Sequence, residues 1–146
     1  MKQYDPNRVW ERVQSPPVPD SQSLEPLVRI LWQQTRIFQQ LTKKLPLPQA
    51  AVARELQKQF QQQLTCLKGM LILISGAPSP NPPSPASGDP PELLLRQAYA
   101  QSLRLRTEYE ARRSDAAYGH IFRLFSNRLP EQAADILMLL GTMAKP

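Results

Sequence analysis

The sequence predicts an all-α protein, an antiparallel four-helix bundle with a long Pro-rich crossover between helices 2 and 3 and a short N-terminal helix. Apolar residues recur at helical spacing in four long segments. The chain of 146 residues has 16 prolines and only five glycines, and the prolines cluster between those segments. We therefore expect an N-terminal segment, 1–22, followed by one bundle, 23–143, whose crossover is the segment 77–91.

The N-terminal segment contains the stretch PNRVWERVQ, which we expect to form a short helix. Val9, Trp10 and Val13 make one apolar side, which suits docking on the bundle. The stretch SPPVPDSQS then separates this helix from the next one.

The first helical pair is predicted over about 23–45 and 49–75. Ser23 suits the cap of the first helix, and Pro26 falls in its first turn, where a missing N–H costs little. Gly76 suits a left-handed end to the second helix. The inward positions follow helical spacing and are Leu27, Ile30, Leu31, Gln34, Phe38, Leu41, Leu45, Val52, Leu56, Phe60, Gln63, Leu64, Leu67, Leu71 and Ile74.

The segment 77–91, APSPNPPSPASGDPP, reads as an extended spacer. At roughly 3 Å per residue in a polyproline conformation, it is long enough to cross the length of a bundle. A proline-rich ligand for an SH3-type domain is the alternative interpretation.

The second helical pair is predicted from Asp89 and Pro90 to about residue 113, and over about 115–140. Ser114 or Asp115 suits the cap of the last helix. Pro130 predicts a kink or a break near 127–129, and Gly141 follows the helix. The inward positions are Leu95, Ala98, Tyr99, Ser102, Leu105, Tyr109, Ile121, Leu124, Phe125, Leu129, Gln132, Ile136 and Leu139.

The net charge is +6, but the basic residues are spread over the helices without an aromatic-interleaved stripe. We therefore expect solvated helix faces and no nucleic-acid partner. The first residues lack the apolar core of a signal peptide, and the longest apolar stretch, GMLILISG, is too short to span a bilayer. A cytoplasmic protein without membrane contact is expected. Cys66, the single cysteine, excludes an intramolecular disulfide and suits a small half-buried position.

The two halves of the chain resemble each other at an offset of about 70 residues. LWQQTRIFQQL aligns with SLRLRTEYEAR, which matches Phe38 to Tyr109. Together with LTCLKGMLILISG and RTEYEARRSDAAYGHIF, this repeat resembles the rubrerythrin-like branch of the ferritin-like superfamily over about 23–143.

The resemblance implies positions for di-iron ligands. The family has a glutamate seven residues before a tyrosine on the first helix of each pair, and Glu-x-x-His on the second. The matching positions are Leu31, Phe60, Gln63, Ser102, Leu129 and Gln132. None is a carboxylate or an imidazole, and His120 is the single histidine, whereas a di-iron site takes about four carboxylates and usually two histidines. The resemblance therefore implies a degenerate member with no metal, no cofactor and no catalytic residue.

Gln63 and Gln132 are expected near the bundle centre, where their amides bind each other, Ser102, Gln34 or a trapped water. A buried amide without partners costs about 1–3 kcal/mol, so partners are expected. The alternative is that one or both lie at a helix flank and reach solvent.

The expected role is structural or protein-interaction, with a homodimer through a helix face or an unknown protein as partner. One alternative is a rubrerythrin-type di-iron oxidoreductase that handles peroxide. Another is a regulatory binding module that uses the Pro-rich segment or the basic surface. His120 would act as a general base only with an orienting partner such as Asp115 or Glu131; a surface or capping role is expected instead.

Overall fold

A computed structural model describes residues 21–76 and 88–143 of the chain. Within these ranges there are four helices and no strand: α1 (Ser21–Lys44), α2 (Leu47–Ser75), α3 (Pro91–Ala111) and α4 (Gly119–Met143). The prediction of an all-α four-helix bundle is confirmed. The predicted N-terminal helix and residues 77–87 of the predicted crossover lie outside the described residues.

The four helices pack as two hairpins, α1 with α2 and α3 with α4, and each helix of one hairpin contacts one helix of the other. Hydrogen bonds give the directions. Lys44 Nζ, at the end of α1, donates to the Asp89 carbonyl at 2.7 Å, just before α3 begins. Gln34, in the middle of α1, donates to the Ala98 carbonyl at 2.9 Å. These pairs make α1 and α3 antiparallel, so α2 and α3 run in the same direction.

The core contains most of the predicted inward positions. All seven predicted positions of α1 are buried, from Leu27 to Leu45. Leu124 was predicted to be inward, but it is 50% exposed, whereas Phe122 is fully buried. Phe122 and Phe125, three residues apart, occupy the same side of α4. Leu124 lies a third of a turn from Phe125, which turns it outward. Four predicted positions are only half-buried: Val52, Ile74, Tyr99 and Ile121.

The first two helices begin two residues earlier than predicted, and the last begins four residues later. α1 begins at Ser21, so Ser23 lies inside the helix instead of capping it, and Pro26 lies beyond the first turn. α2 begins at Leu47, two residues earlier than expected, with Pro46 at the N-cap and Pro48 beside it. A proline there removes only an N–H that a helix start leaves unpaired.

The turn before α4 is capped by Asp115. Its Oδ1 accepts the N–H groups of Ala117 at 2.9 Å and Tyr118 at 2.7 Å, although regular helix begins only at Gly119. A Cβ at Gly119 would lie 2.5 Å from the Arg113 carbonyl oxygen. Only glycine therefore allows α4 to start this close to the end of α3.

The helix ends are partly as predicted. Gly76 closes α2 in the left-handed conformation, with φ 78° and its N–H bound to the Ile72 carbonyl at 2.7 Å. Of the predicted kink or break near 127–129, the break is wrong, since α4 continues through Pro130, and α4 also passes Gly141 to reach Met143. Pro130 lies on the exposed side, where a helix tolerates distortion best.

Candidate functional site

The centre of the bundle contains all six positions that the family resemblance matches to metal ligands. Each of them is at most 2% exposed. One comes from α1, two from α2, one from α3 and two from α4, as Leu31, Phe60, Gln63, Ser102, Leu129 and Gln132. All six therefore lie on the buried faces of their helices, as helical spacing predicted.

A continuous hydrogen-bonded path, which we call the amide network, connects the centre to the surface. The Tyr109 hydroxyl donates to Gln63 Oε1 at 2.9 Å, and Gln63 Nε2 donates to Gln132 Oε1 at 3.4 Å. Gln132 Nε2 then donates to Gln59 Oε1 at 2.9 Å, and Gln59 Nε2 reaches Glu55 Oε1 at 3.4 Å. The amide network thus joins side chains of α2, α3 and α4.

All hydrogen bonds of the amide network run in the same donor-to-acceptor direction, from Tyr109 to Glu55. A carboxylate such as that of Glu55 only accepts hydrogen bonds, while the hydroxyl of Tyr109 supplies the proton at the other end. Each glutamine between them accepts through its oxygen and donates through its nitrogen. Because both ends are fixed, the amide orientations follow from the bonding pattern.

The predicted contact between Gln63 and Gln132 is confirmed, but the two other side chains predicted as partners, Ser102 and Gln34, bind elsewhere. Ser102 donates to the Tyr99 carbonyl of its own helix at 2.7 Å. Gln34 donates to the Ala98 carbonyl, and its Oε1 is buried without a partner among the described residues.

Three members of the amide network were missed by sequence reasoning about the amides: Tyr109, Gln59 and Glu55. The signal for Gln59 was its position one turn before Gln63 on α2. The signal for Tyr109 was its alignment with Phe38, because a buried phenol needs an acceptor that a phenyl ring does not.

Tyr109 is fully buried, and its ring contacts Phe122 at 6.0 Å and Phe125 at 5.6 Å between centroids. Burial strongly raises the pKa of its hydroxyl, Cys66 raises it further, and Arg112 opposes the change. The hydroxyl therefore stays protonated as a donor at neutral pH. Burial also raises the pKa of the half-buried Cys66 thiol, which disfavours the reactive thiolate.

The side of the centre next to α1 is closed by aromatic stacking. The rings of Phe38 and Phe60 are nearly parallel, at 13°, with centroids 5.6 Å apart. Phe38 matches Tyr109 in the internal repeat, and Phe60 occupies a position where the resemblance described above predicts a glutamate. Both side chains are fully buried.

These residues do not fit an iron centre. Iron takes carboxylate and imidazole ligands, whereas the centre offers neutral amide oxygens that already accept hydrogen bonds. Over 21–76 and 88–143, no group of three or more His, Cys, Asp or Glu side chains is placed to hold a metal ion.

The candidate base His120 is exposed in the first turn of α4. Asp115, one of its two candidate orienting partners, instead caps the preceding turn, and Glu131 is exposed. The structure gives His120 no enclosed site in which to act on a substrate.

None of the described helices is both long and apolar enough to cross a membrane. Comparisons of the chain with protein-family models, curated proteins and solved structures give no match.

Proposed function

We propose that this protein is a non-catalytic ferritin-like helical bundle of the rubrerythrin-like type that has lost its metal site. Its role is structural or in protein interaction, within the cytoplasm. The observation that carries the proposal is the buried hydrogen bond between Gln63 and Gln132. These residues occupy equivalent places in the two halves, where the family has its histidines, and they bind each other instead of a cation.

The helix directions support the ferritin-like topology. Because α2 and α3 point the same way, the connection between them has to return the chain along the bundle. α2 has 29 residues and is therefore about 43 Å long at 1.5 Å per residue. The segment 77–91 reaches about 45 Å when extended, so its length matches a crossover.

The filling of the centre supports the loss of metal chemistry. Phe60 and Leu129 replace carboxylates with side chains that have no donor atom, and both are buried. Charged ligands in a dry centre need a cation to offset their desolvation, and the neutral amide network needs none. The substitutions are thus mutually consistent as a core without metal.

The first experiment measures metal directly. Protein purified from iron-replete medium should contain iron far below one equivalent per chain by mass spectrometry. After addition of Fe²⁺ in air and removal of unbound iron by gel filtration, it should also show no visible absorption beyond that of a protein-free control. A di-iron complement with a visible band would overturn the proposal and favour the oxidoreductase alternative.

A second experiment tests whether Gln63 and Gln132 are true equivalents of metal ligands. The double variant Gln63→His/Gln132→His should gain affinity for Co²⁺ or Zn²⁺, seen as a metal-dependent rise in Tm, because two imidazoles then face each other. The matched control, Gln62→His/Gln132→His, should show no rise, because Gln62 is exposed. Equal responses of both variants would contradict the assigned register.

A further inference from the structure

The outer side of α4 combines exposed apolar and charged side chains. Eight large apolar side chains are exposed in the described part of the chain, and three lie on α4: Leu124 at 50%, Leu137 at 48% and Met138 at 51%. Leu124 and Met138 are separated by close to four helical turns, which puts them on the same side of the helix. Single exposed apolar side chains are ordinary, so these two support a contact surface only together with the charged residues between them.

Charged residues lie between these two apolar side chains at helical spacing. We define the α4 outer face as Leu124, Arg128, Glu131, Asp135 and Met138, which recur every three or four residues. Arg128 and Glu131 are exposed and Asp135 is half-buried. Within the described ranges, none of the three makes an ion pair.

The pattern of the α4 outer face is complementary to itself when reversed. Leu124 and Met138 lie seven residues on either side of Glu131. Arg128 lies three residues before Glu131, and Asp135 lies four residues after it. Reversing the helix about Glu131 therefore exchanges the two apolar positions and brings Arg128 to within one residue of the place of Asp135.

We propose that the protein forms a homodimer in which the α4 outer faces of two copies pack antiparallel, with the two-fold axis beside Glu131. Leu124 then contacts Met138 of the second copy, and Arg128 pairs with Asp135 of the second copy. Because the contact is isologous, each pair occurs twice. Arg128 also lies within one turn of Glu131 of the second copy, which offsets the approach of the two Glu131 carboxylates.

A second copy is the occupant we propose because the charge order is complementary to its own reverse. A parallel pairing would place Arg128 against Arg128 and Asp135 against Asp135. An acidic partner would be opposed by Glu131 and Asp135, and a basic partner by Arg128. One helix pair buries a small interface, so dimerisation should depend on concentration.

This inference rests on the proposed interaction role, to which it gives a surface and a partner. The two claims fail separately. Iron in the purified protein would overturn the non-catalytic proposal whatever the mass in solution, and a strict monomer free of iron would overturn only the dimer.

The experiment is sedimentation velocity of the full chain over a range of concentrations. The wild type should shift from monomer to dimer as concentration rises. Arg128→Asp and Asp135→Arg should each lower the association constant about tenfold, because each places like charges together twice. Circular dichroism checks that both variants stay helical.

The decisive arm restores the charge pairs. An equimolar mixture of Arg128→Asp with Asp135→Arg should form a heterodimer, since both pairs are then opposite in sign. The double variant Arg128→Asp/Asp135→Arg should dimerise like the wild type. Arg54→Asp, at an exposed position of α2, is the matched control and should leave association unchanged.

Three results would overturn the proposal. The wild type would stay monomeric at every concentration, or the single variants would dimerise as well as the wild type. Alternatively, the charge-swapped mixture would fail to recover association while each variant remains folded. Leu124→Glu adds an independent check, because loss of the apolar contact should also weaken the dimer.

Discussion

The two hairpins follow one plan but close their shared centre differently. In the first hairpin, Phe38 of α1 stacks on Phe60 of α2 without any polar atom. In the second, Tyr109 of α3 packs on Phe122 and Phe125 of α4 and directs its hydroxyl to Gln63 of the other hairpin. At these matched positions the two halves differ by a single oxygen, which is present on Tyr109 and absent from Phe38.

This difference teaches how a core accommodates two buried amides. The hydrogen bond between the two glutamines uses the Gln63 Nε2 donor and the Gln132 Oε1 acceptor. Gln63 Oε1 therefore still needs a donor. Tyr109 supplies that donor, while Gln132 passes its own donor to the half-buried Gln59. A second tyrosine, at position 38, would add a hydroxyl for which the network has no acceptor.

The largest expected effect concerns the apolar closure of the first hairpin. Phe60→Ala should lower the free energy of unfolding by about 4 kcal/mol, because it leaves a cavity beside Phe38. Leu129→Ala, at the equivalent place in the second hairpin, should cost about 3 kcal/mol. Urea denaturation measures both. The exposed Ile72→Ala should change stability by only about 0.5 kcal/mol. A greater loss for Leu129→Ala would reverse the comparison.

The next effect places a carboxyl in the amide network. Gln63→Glu should lower stability by about 3 kcal/mol at pH 8, because an ionised carboxylate would face Gln132 Oε1 in a dry site. Burial raises the pKa of such a carboxyl above its unfolded value of about 4.3, so the stability is retained near pH 4 and lost as pH rises. Denaturation at the two pH values measures this. Gln62→Glu, exposed one residue away, should show no such pH dependence.

The tyrosine hydroxyl gives a direct test of the difference between the hairpins. Tyr109→Phe should cost about 1.5 kcal/mol because it leaves Gln63 Oε1 buried without its donor. The reciprocal Phe38→Tyr should also destabilise, by about 2 kcal/mol, because it buries a hydroxyl against Phe60. Thermal and urea unfolding report both values. If either exchange were neutral, the hairpins would be interchangeable at this position.

Alkaline pH should affect the folded protein through the same hydroxyl. Since burial raises the pKa of Tyr109 above the unfolded value of about 10, its contribution to stability is present below pH 10 and falls as pH increases further. The loss should reach about 1 kcal/mol at pH 11. Tyr109→Phe should show a smaller fall over the same range, and identical slopes would contradict a buried, protonated Tyr109.

The smallest effect is expected where the amide network reaches the surface. Glu55→Gln should change stability by only about 0.3 kcal/mol, since Glu55 is exposed and its bond to Gln59 is long. Hydrogen–deuterium exchange should show no change around Tyr109. A loss comparable to that of Tyr109→Phe would mean that the carboxylate holds the whole network in place.

Helical spacing predicted which face of each helix is buried, and for that reason it also predicted the burial of Gln63 and Gln132. It did not predict which helices lie beside one another at a given height, because periodicity describes one helix at a time. Tyr109 was placed inward correctly, yet its bond to Gln63 crosses the bundle between α3 and α2, which are not neighbours, and so depends on the assembly of both hairpins.

The helix boundaries were less predictable than the buried face of each helix. Pro130 was read as an interruption, but its ring falls on the exposed side of α4 and the helix continues. Leu124 was read as inward because leucine fits any apolar series, whereas the pair Phe122 and Phe125 fixes the rotation of α4. In both cases the rotation of the helix about its axis decided the outcome.

The amide network also specifies the axial alignment of α4 relative to α2. Of the four adjacent helix pairs, α2 and α4 have the fewest close backbone approaches, so packing alone specifies their alignment weakly. A slip by one turn would move Gln132 about 5.4 Å and part it from both Gln59 and Gln63. An all-leucine centre of equal stability would tolerate such a slip. The hydrogen bonds of Gln132 to Gln59 and Gln63 therefore favour one axial alignment of α4 against α2 over alignments shifted by a helical turn.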